Sequence, residues 1–204
     1  MKISLQTKAL KFLIVLVLVS CQSTKLPTTS NVNIVHPTNA LSRFTVYLDS
    51  VGFISDTSRA KITATELSLS EINYFHNKPF YTLNPKNHEI QQSKKFLRIL
   101  KKNDTLNVDF DIFLKPKSIF AYYYRQKKQS NFIEDGIIEE WHFSSKSEAQ
   151  YASSEIEKIN DLVYFNTFSF ILVNENQLYI FHTRASAFGT TLERLFEAFK
   201  ENLK

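Results

Sequence analysis

The chain has 204 residues, with 25 Lys and Arg against 20 Asp and Glu, one Cys and three Gly. The glycines, Gly52, Gly136 and Gly189, stand too far apart to build a glycine-rich phosphate loop, a dinucleotide fingerprint or a GxSxG nucleophile elbow. No HExxH and no His pair at i, i+4 occurs, so the zinc-helix motifs are excluded, and neither a metal nor a cofactor is expected.

Lys2, Lys8 and Lys11 precede the apolar run Phe12 to Val19, which ends in Ser20 and Cys21. A membrane-spanning helix needs about 20 apolar residues, and this run stops well short of that. A positive n-region, a short apolar h-region and a small residue at a cut site describe a cleavable signal peptide, residues 1–20. Leu18, Val19, Ser20 and Cys21 resemble the lipobox of bacterial lipoproteins. That resemblance implies cleavage before Cys21, a diacylglycerol on its sulfur and, usually, acylation of its new amino group. Two or three acyl chains, at about 0.8 kcal/mol per buried methylene, hold a protein stably to a bilayer where one does not. In many enteric lipoproteins an aspartate after the cysteine favours the inner membrane; here Gln22 follows, so the resemblance implies the outer membrane, with the domain facing the periplasm.

Cleavage also changes the charge. Loss of Lys2, Lys8 and Lys11 lowers Lys and Arg from 25 to 22 against 20 Asp and Glu, so the formal charge falls from +5 to +2. A nearly neutral domain lacks the global basic footprint of a nucleic-acid binder, and no nucleic-acid partner is expected. With Cys21 lipidated, the folded part has no thiol for disulfide, metal or nucleophile chemistry.

Residues 21–39 carry the lipidated cysteine and a Ser-, Thr-, Asn- and Pro-rich stretch that reads as a tether. Residues 40–204 are predicted to form a single α+β domain. Leu41, Phe44, Leu48 and Val51 recur at helical spacing with Gly52 placed as a left-handed cap, although Phe44, Val46 and Leu48 also alternate like a strand; helix is preferred. Extended pieces follow around 61–69 and 80–83. Residues 93–102 are predicted to be a short amphipathic helix with Phe96, Ile99 and Leu100 inward.

Alternation predicts strands over 106–114, 119–125 and 137–144, with a turn at Pro116. Ser145-Lys-Ser-Glu148 has capping-box spacing and opens a helix with Ala149, Ala152, Ile156 and Ile159 on one face. Strands over 164–173 and 178–184 flank a hairpin at Asn174 to Gln177. Thr190-Thr-Leu-Glu193 is a second capping box, before the stripe Leu192, Leu195, Phe196, Phe199 and Leu203. The β-α-β-β-α order of this C-terminal unit, within about 106–204, predicts an antiparallel sheet with helices on one face, related to split βαβ arrangements.

One candidate ligand surface follows from the assumed hairpin register. It sets Thr167 and Ser169 against Arg184 and His182, and alternation turns Trp141 and Phe143 inward with Glu140 and His142 on the polar side. Glu140, His142, Ser169, His182 and Arg184 are thus expected on one open sheet surface. A Ser-His-Glu group or a two-His metal site uses such residue types, because imidazole titrates near neutrality. Three charged stretches read as solvated surface: Tyr122 to Tyr124 with Arg125, Lys127 and Lys128; Asp109 with Asp111; and Lys94, Lys95, Arg98, Lys101 and Lys102. The expected function is a membrane-anchored, non-catalytic binding or interaction module with an envelope protein or glycan as partner. The alternative is a periplasmic hydrolase or metal-dependent enzyme using the polar sheet face.

Overall fold

Strands that carry apolar side chains at both parities must be covered on both sides, and Ile119–Tyr124, Phe170–Val173 and Leu178–Phe181 are such strands. A computed structural model describes residues 36–58, 72–75, 77–99, 106–128, 134–163, 169–183 and 185–203, all within one compact unit, Val35–Lys204. The expected signal peptide, Cys21 and nearly all of the tether lie outside the described residues, as does the extended piece at 61–69. Among the described residues no helix is long and apolar enough to cross a membrane.

The described elements run α1 (Asn39–Ser50), β1 (Phe53–Ser55), β2 (Ile72–Phe75), β3 (Lys78–Leu83), α2 (Glu89–Ile99), β4 (Ser118–Gln126), β5 (Asp135–His142), α3 (Lys146–Val163), β6 (Ser169–Asn174), β7 (Gln177–His182) and α4 (Gly189–Asn202). The α+β class holds: seven strands form one antiparallel sheet in the order β2-β3-β4-β5-β7-β6, with β1 paired to β4 beyond the end of β3. Because β7 is inserted antiparallel between β5 and β6, those two run parallel, and β5-α3-β6 is a split βαβ crossover. The hairpin register is the predicted one, Asn174 opposite Gln177 and Ser169 opposite His182, with Glu175 in the left-handed region at φ 50°.

The helices do not share a face. On one side, Ala149, Ala152, Ile156 and Ile159 of α3 and Ile90 and Leu97 of α2 pack on Ala121, Tyr123, Trp141, Leu178 and Ile180. On the other, Leu41, Phe44 and Leu48 of α1 and Leu192, Leu195, Phe196 and Phe199 of α4 pack on Tyr122, Tyr124, Tyr179 and Phe181. The physical reason is the double-sided apolar content of β4, β6 and β7, which leaves no face for solvent.

Local chemistry decides the remaining differences. The α1 helix forms as preferred, and Gly52, at φ 94°, follows it in the left-handed conformation. The α2 helix starts at Glu89, earlier than expected, so its inner face is Ile90, Ser93 and Leu97, while Ile99 turns outward; Leu100 lies outside the described residues. The expected strand at 106–114 is instead a 3-10 turn over Phe110–Leu114, nucleated where Asp109 Oδ1 accepts the Asp111 N–H at 3.0 Å. Ser145 does cap α3, accepting from Glu148 N at 3.2 Å while the Glu148 carboxylate accepts from Ser144 N at 3.1 Å. The Thr190 box is not made: α4 begins at Gly189, and Thr191 Oγ1 donates to Glu134 at 3.1 Å.

Gly136 on β5 stands opposite Tyr124, and a Cβ at that position would fall on the buried Tyr124 ring. The strand therefore needs a residue without a side chain there. Gly136→Ala is expected to lower stability by about 1–3 kcal/mol through forced overpacking, read as a fall in urea midpoint, whereas an unchanged midpoint would mean that the ring moves freely.

Candidate functional site

Strand β5 carries two consecutive glutamates, and consecutive residues of a strand face opposite sides. Both faces are core, so both carboxylates are buried: Glu139 is 3% exposed and Glu140 is fully enclosed. A buried carboxylate is tolerable only when donors surround it, and each of these has three.

Glu139 stands beside Trp141, on the face of α2 and α3. Its Oε2 accepts from Trp141 Nε1–H at 2.8 Å and lies 2.9 Å from His88 Nε2, and its Oε1 lies 3.2 Å from His182 Nε2. His88 precedes α2, and its Nδ1 accepts the Ile90 N–H at 3.1 Å, so the ring caps the helix with one nitrogen and donates to Glu139 with the other. Ala121, the residue of β4 opposite Glu139, is the smallest on that strand. Burial alone would push the Glu139 carboxyl up, but His88 and His182, each presenting Nε2 to it, outweigh burial and hold it well below the ordinary carboxylate range.

Glu140 faces α1 and α4. It accepts from Thr38 N and Thr38 Oγ1, both at 2.8 Å, and from His142 Nε2. Thr38 is the N-cap of α1, its Oγ1 accepting from Leu41 N at 3.4 Å. Since the one hydroxyl proton of Thr38 goes to Glu140, the 3.0 Å contact between Thr38 Oγ1 and Tyr179 OH has the tyrosine as donor. Burial first, and Glu140 beside it second, push the Tyr179 phenol far up, which keeps that proton in place.

The expected five-residue surface is therefore divided. Glu140 and His142 stand on one face; His182 stands on the other, opposite Ile137, and Ser169 pairs with His182 across the β6–β7 edge. Arg184 and Thr167 lie outside the described residues. The polar sheet face on which a hydrolase or metal site was to be built is replaced by two packed cores, because the parity carrying His182 also carries Leu178 and Ile180 into the α3 side. Among the described residues no group of three His, Cys, Asp or Glu has metal-binding geometry.

Glu139 and His88 were missing from the sequence-based set. The signal for Glu139 was present: alternation that turns Trp141 inward turns Glu139 inward with it, and an inward carboxylate demands donors. Nothing in the sequence pairs it with His88, which lies 51 positions away. The chain matches no family model, and neither a curated protein nor a solved structure is detectably similar to it.

Because the folded-state carboxyl of Glu139 is depressed, the unfolded chain takes up its proton first on acidification. Its contribution is fully present above the unfolded carboxyl range, about pH 5, and is lost as pH falls below it. Glu139→Gln is expected to cost about 2–4 kcal/mol at pH 7 and to flatten the fall of melting temperature between pH 6 and pH 3. Equal melting curves for the two proteins across that range would remove Glu139 from this role.

Proposed function

We propose that this chain is a lipid-anchored interaction module of a bacterial envelope, held through Cys21, tethered by residues 22–39, and binding an envelope protein or glycan rather than catalysing a reaction. The outer membrane, on its periplasmic side, is the preferred location. The observation that carries the non-catalytic part is the saturation of both carboxylates. Glu139 and Glu140 each receive three donors from the protein itself, inside two packed cores, so the imidazole and carboxylate groups best suited to acid–base work are occupied with holding the fold. What the fold offers to partners is its periphery.

That periphery has usable features. At one end of the described strand order, β6 is an outer strand whose Phe170–Val173 are uncharged and half-buried. Outer strands of this composition suit pairing with an extended partner chain. Val46 on α1 is 58% exposed and Tyr74 on β2 is 68% exposed, apolar side chains that the fold itself does not cover. The lipobox residues and Gln22 support the anchor and its membrane, and the near-neutral charge of the processed chain supports a partner other than nucleic acid.

Cys21→Ala is expected to abolish acylation and release the domain from membranes in a fractionation experiment; a membrane-bound, lipid-labelled Cys21→Ala product overturns the anchor. A photo-crosslinking residue at Val46, at Tyr74 or at Tyr151, which is 44% exposed on α3, is expected in the anchored protein to trap one discrete envelope component at one of these positions. No discrete adduct at any of the three overturns the interaction reading.

A further inference from the structure

A cleft of about 200 Å³ lies between α2 and the segment that leads into the 3-10 turn at Phe110, lined by Lys94, Leu97, Arg98, Asn107, Val108 and Phe110. Lys94 and Arg98 are four residues apart on α2 and so project from one helix face, with buried Leu97 between them in sequence. Asn107 adopts the left-handed conformation, φ 42°, at the turn that brings Val108 and Phe110 against the helix. The Lys94 ammonium sits 5.6 Å above the Phe110 ring.

Among the described residues the charge on this cleft is uncompensated: no described Asp or Glu lines it, and neither Lys94 nor Arg98 pairs with a described carboxylate. Two described acids beside the turn, Asp109 and Glu155, are engaged elsewhere. Asp109 accepts from Asp111 N at 3.0 Å and from the Tyr151 hydroxyl at 3.3 Å, and Glu155 accepts from Asp109 N at 2.9 Å and Lys158 Nζ at 2.6 Å. Lys158, paired with Glu155, also donates to Asn107 O at 3.3 Å and so braces the turn from behind. A guanidinium fork and an ammonium over an apolar floor match a dianion better than a single carboxylate, and a phosphate monoester carries about −1.5 to −2 at pH 7.

We propose that the cleft between α2 and Asn107–Phe110 binds a phosphate ester group, with Arg98 and Lys94 on the phosphate and Leu97, Val108 and Phe110 against its carbon stem. The cavity is smaller than the ~300–1,000 Å³ of sites that enclose a whole drug-sized ligand, so it takes a head group and leaves the rest of the molecule outside. The chemistry has two sources, a soluble organic phosphate and the phosphate head of a lipid. The proposal does not depend on the anchor at Cys21.

The test is titration of the full chain with phenyl phosphate, followed by the amide and arginine Nε–H signals in ¹H–¹⁵N spectra. Saturable shifts confined to Arg98 and residues 106–110 are expected. Arg98→Gln, at an exposed position, and Lys94→Gln should each raise the dissociation constant about tenfold, the loss of one charge-assisted contact. Lys95→Gln, exposed on α2 but outside the cleft, should leave it unchanged. Shifts that grow without saturation, or an equal loss from Lys95→Gln, overturn the site. Competition identifies the source: displacement at lower concentration by glycerol 3-phosphate assigns a soluble ester, and by dihexanoyl phosphatidic acid, a lipid phosphate monoester, below its micelle concentration a lipid head. Displacement by neither overturns the proposal.

Discussion

Two charges on consecutive residues of a strand that is buried on both faces set the terms for the rest of this fold. Neither Glu139 nor Glu140 can be turned to solvent by twisting β5, because a rotation that freed one would drive the other deeper. Each must be met by donors where it stands, and three of those donor groups come from the starts of two helices. His88 caps α2 and donates to Glu139; Thr38 caps α1 and donates twice to Glu140. One strand thus fixes the entry points of two helices on opposite sides of the sheet, and it does so with bonds whose geometry admits little slip. Apolar packing alone, being non-directional, would position these helices less sharply.

The aromatic content explains why both faces could be filled. Phe44, Phe181, Phe196 and Phe199 meet edge-on or tilted at centroid distances of 5.0–5.9 Å on the α1–α4 side. On the α2–α3 side, Phe113, Trp141 and Phe143 form a chain at 6.4 Å spacing, with His88 4.7 Å from the indole. Large rings reach across the gap between sheet and helix and tolerate small partners opposite, which is where Ala121, Gly136, Ala149 and Ala152 stand.

An antiparallel sheet with strands near 80–83, 119–125, 137–144 and 178–184, its hairpin register and the helices at 40–51, 146–159 and 190–203 were legible in the sequence, because period and turns are local signals; β1 and β2 were not. The sidedness of the helices was not. Alternation within a strand says which residues share a face, and says nothing about whether the other face is wet. The clue lay in apolar residues at both parities: in Phe170–Val173 and Leu178–Phe181 neither face is polar, so the assignment of Ser169 and His182 to an open surface with Glu140 and His142 asked one strand parity to be core on β7 and solvent on β5. The 106–114 segment failed for a different reason. Its alternation is strand-like, yet Asp109 offers the backbone a local acceptor that a ladder partner would have to displace.

The Glu140–Thr38 bond also bears on how a tethered domain would carry load. If the chain is held at Cys21, a pull from that side meets the His36 ring on Phe75 and buried Pro37 and then Thr38, whose backbone N–H and hydroxyl are bonded to Glu140 in a central strand of the sheet rather than to an edge. Rupture there requires stripping a buried carboxylate of two of its three donors, a costlier event than peeling an edge strand one hydrogen bond at a time. On this geometry buried Glu140 would help to keep the domain folded if load reached it from its N-terminal side.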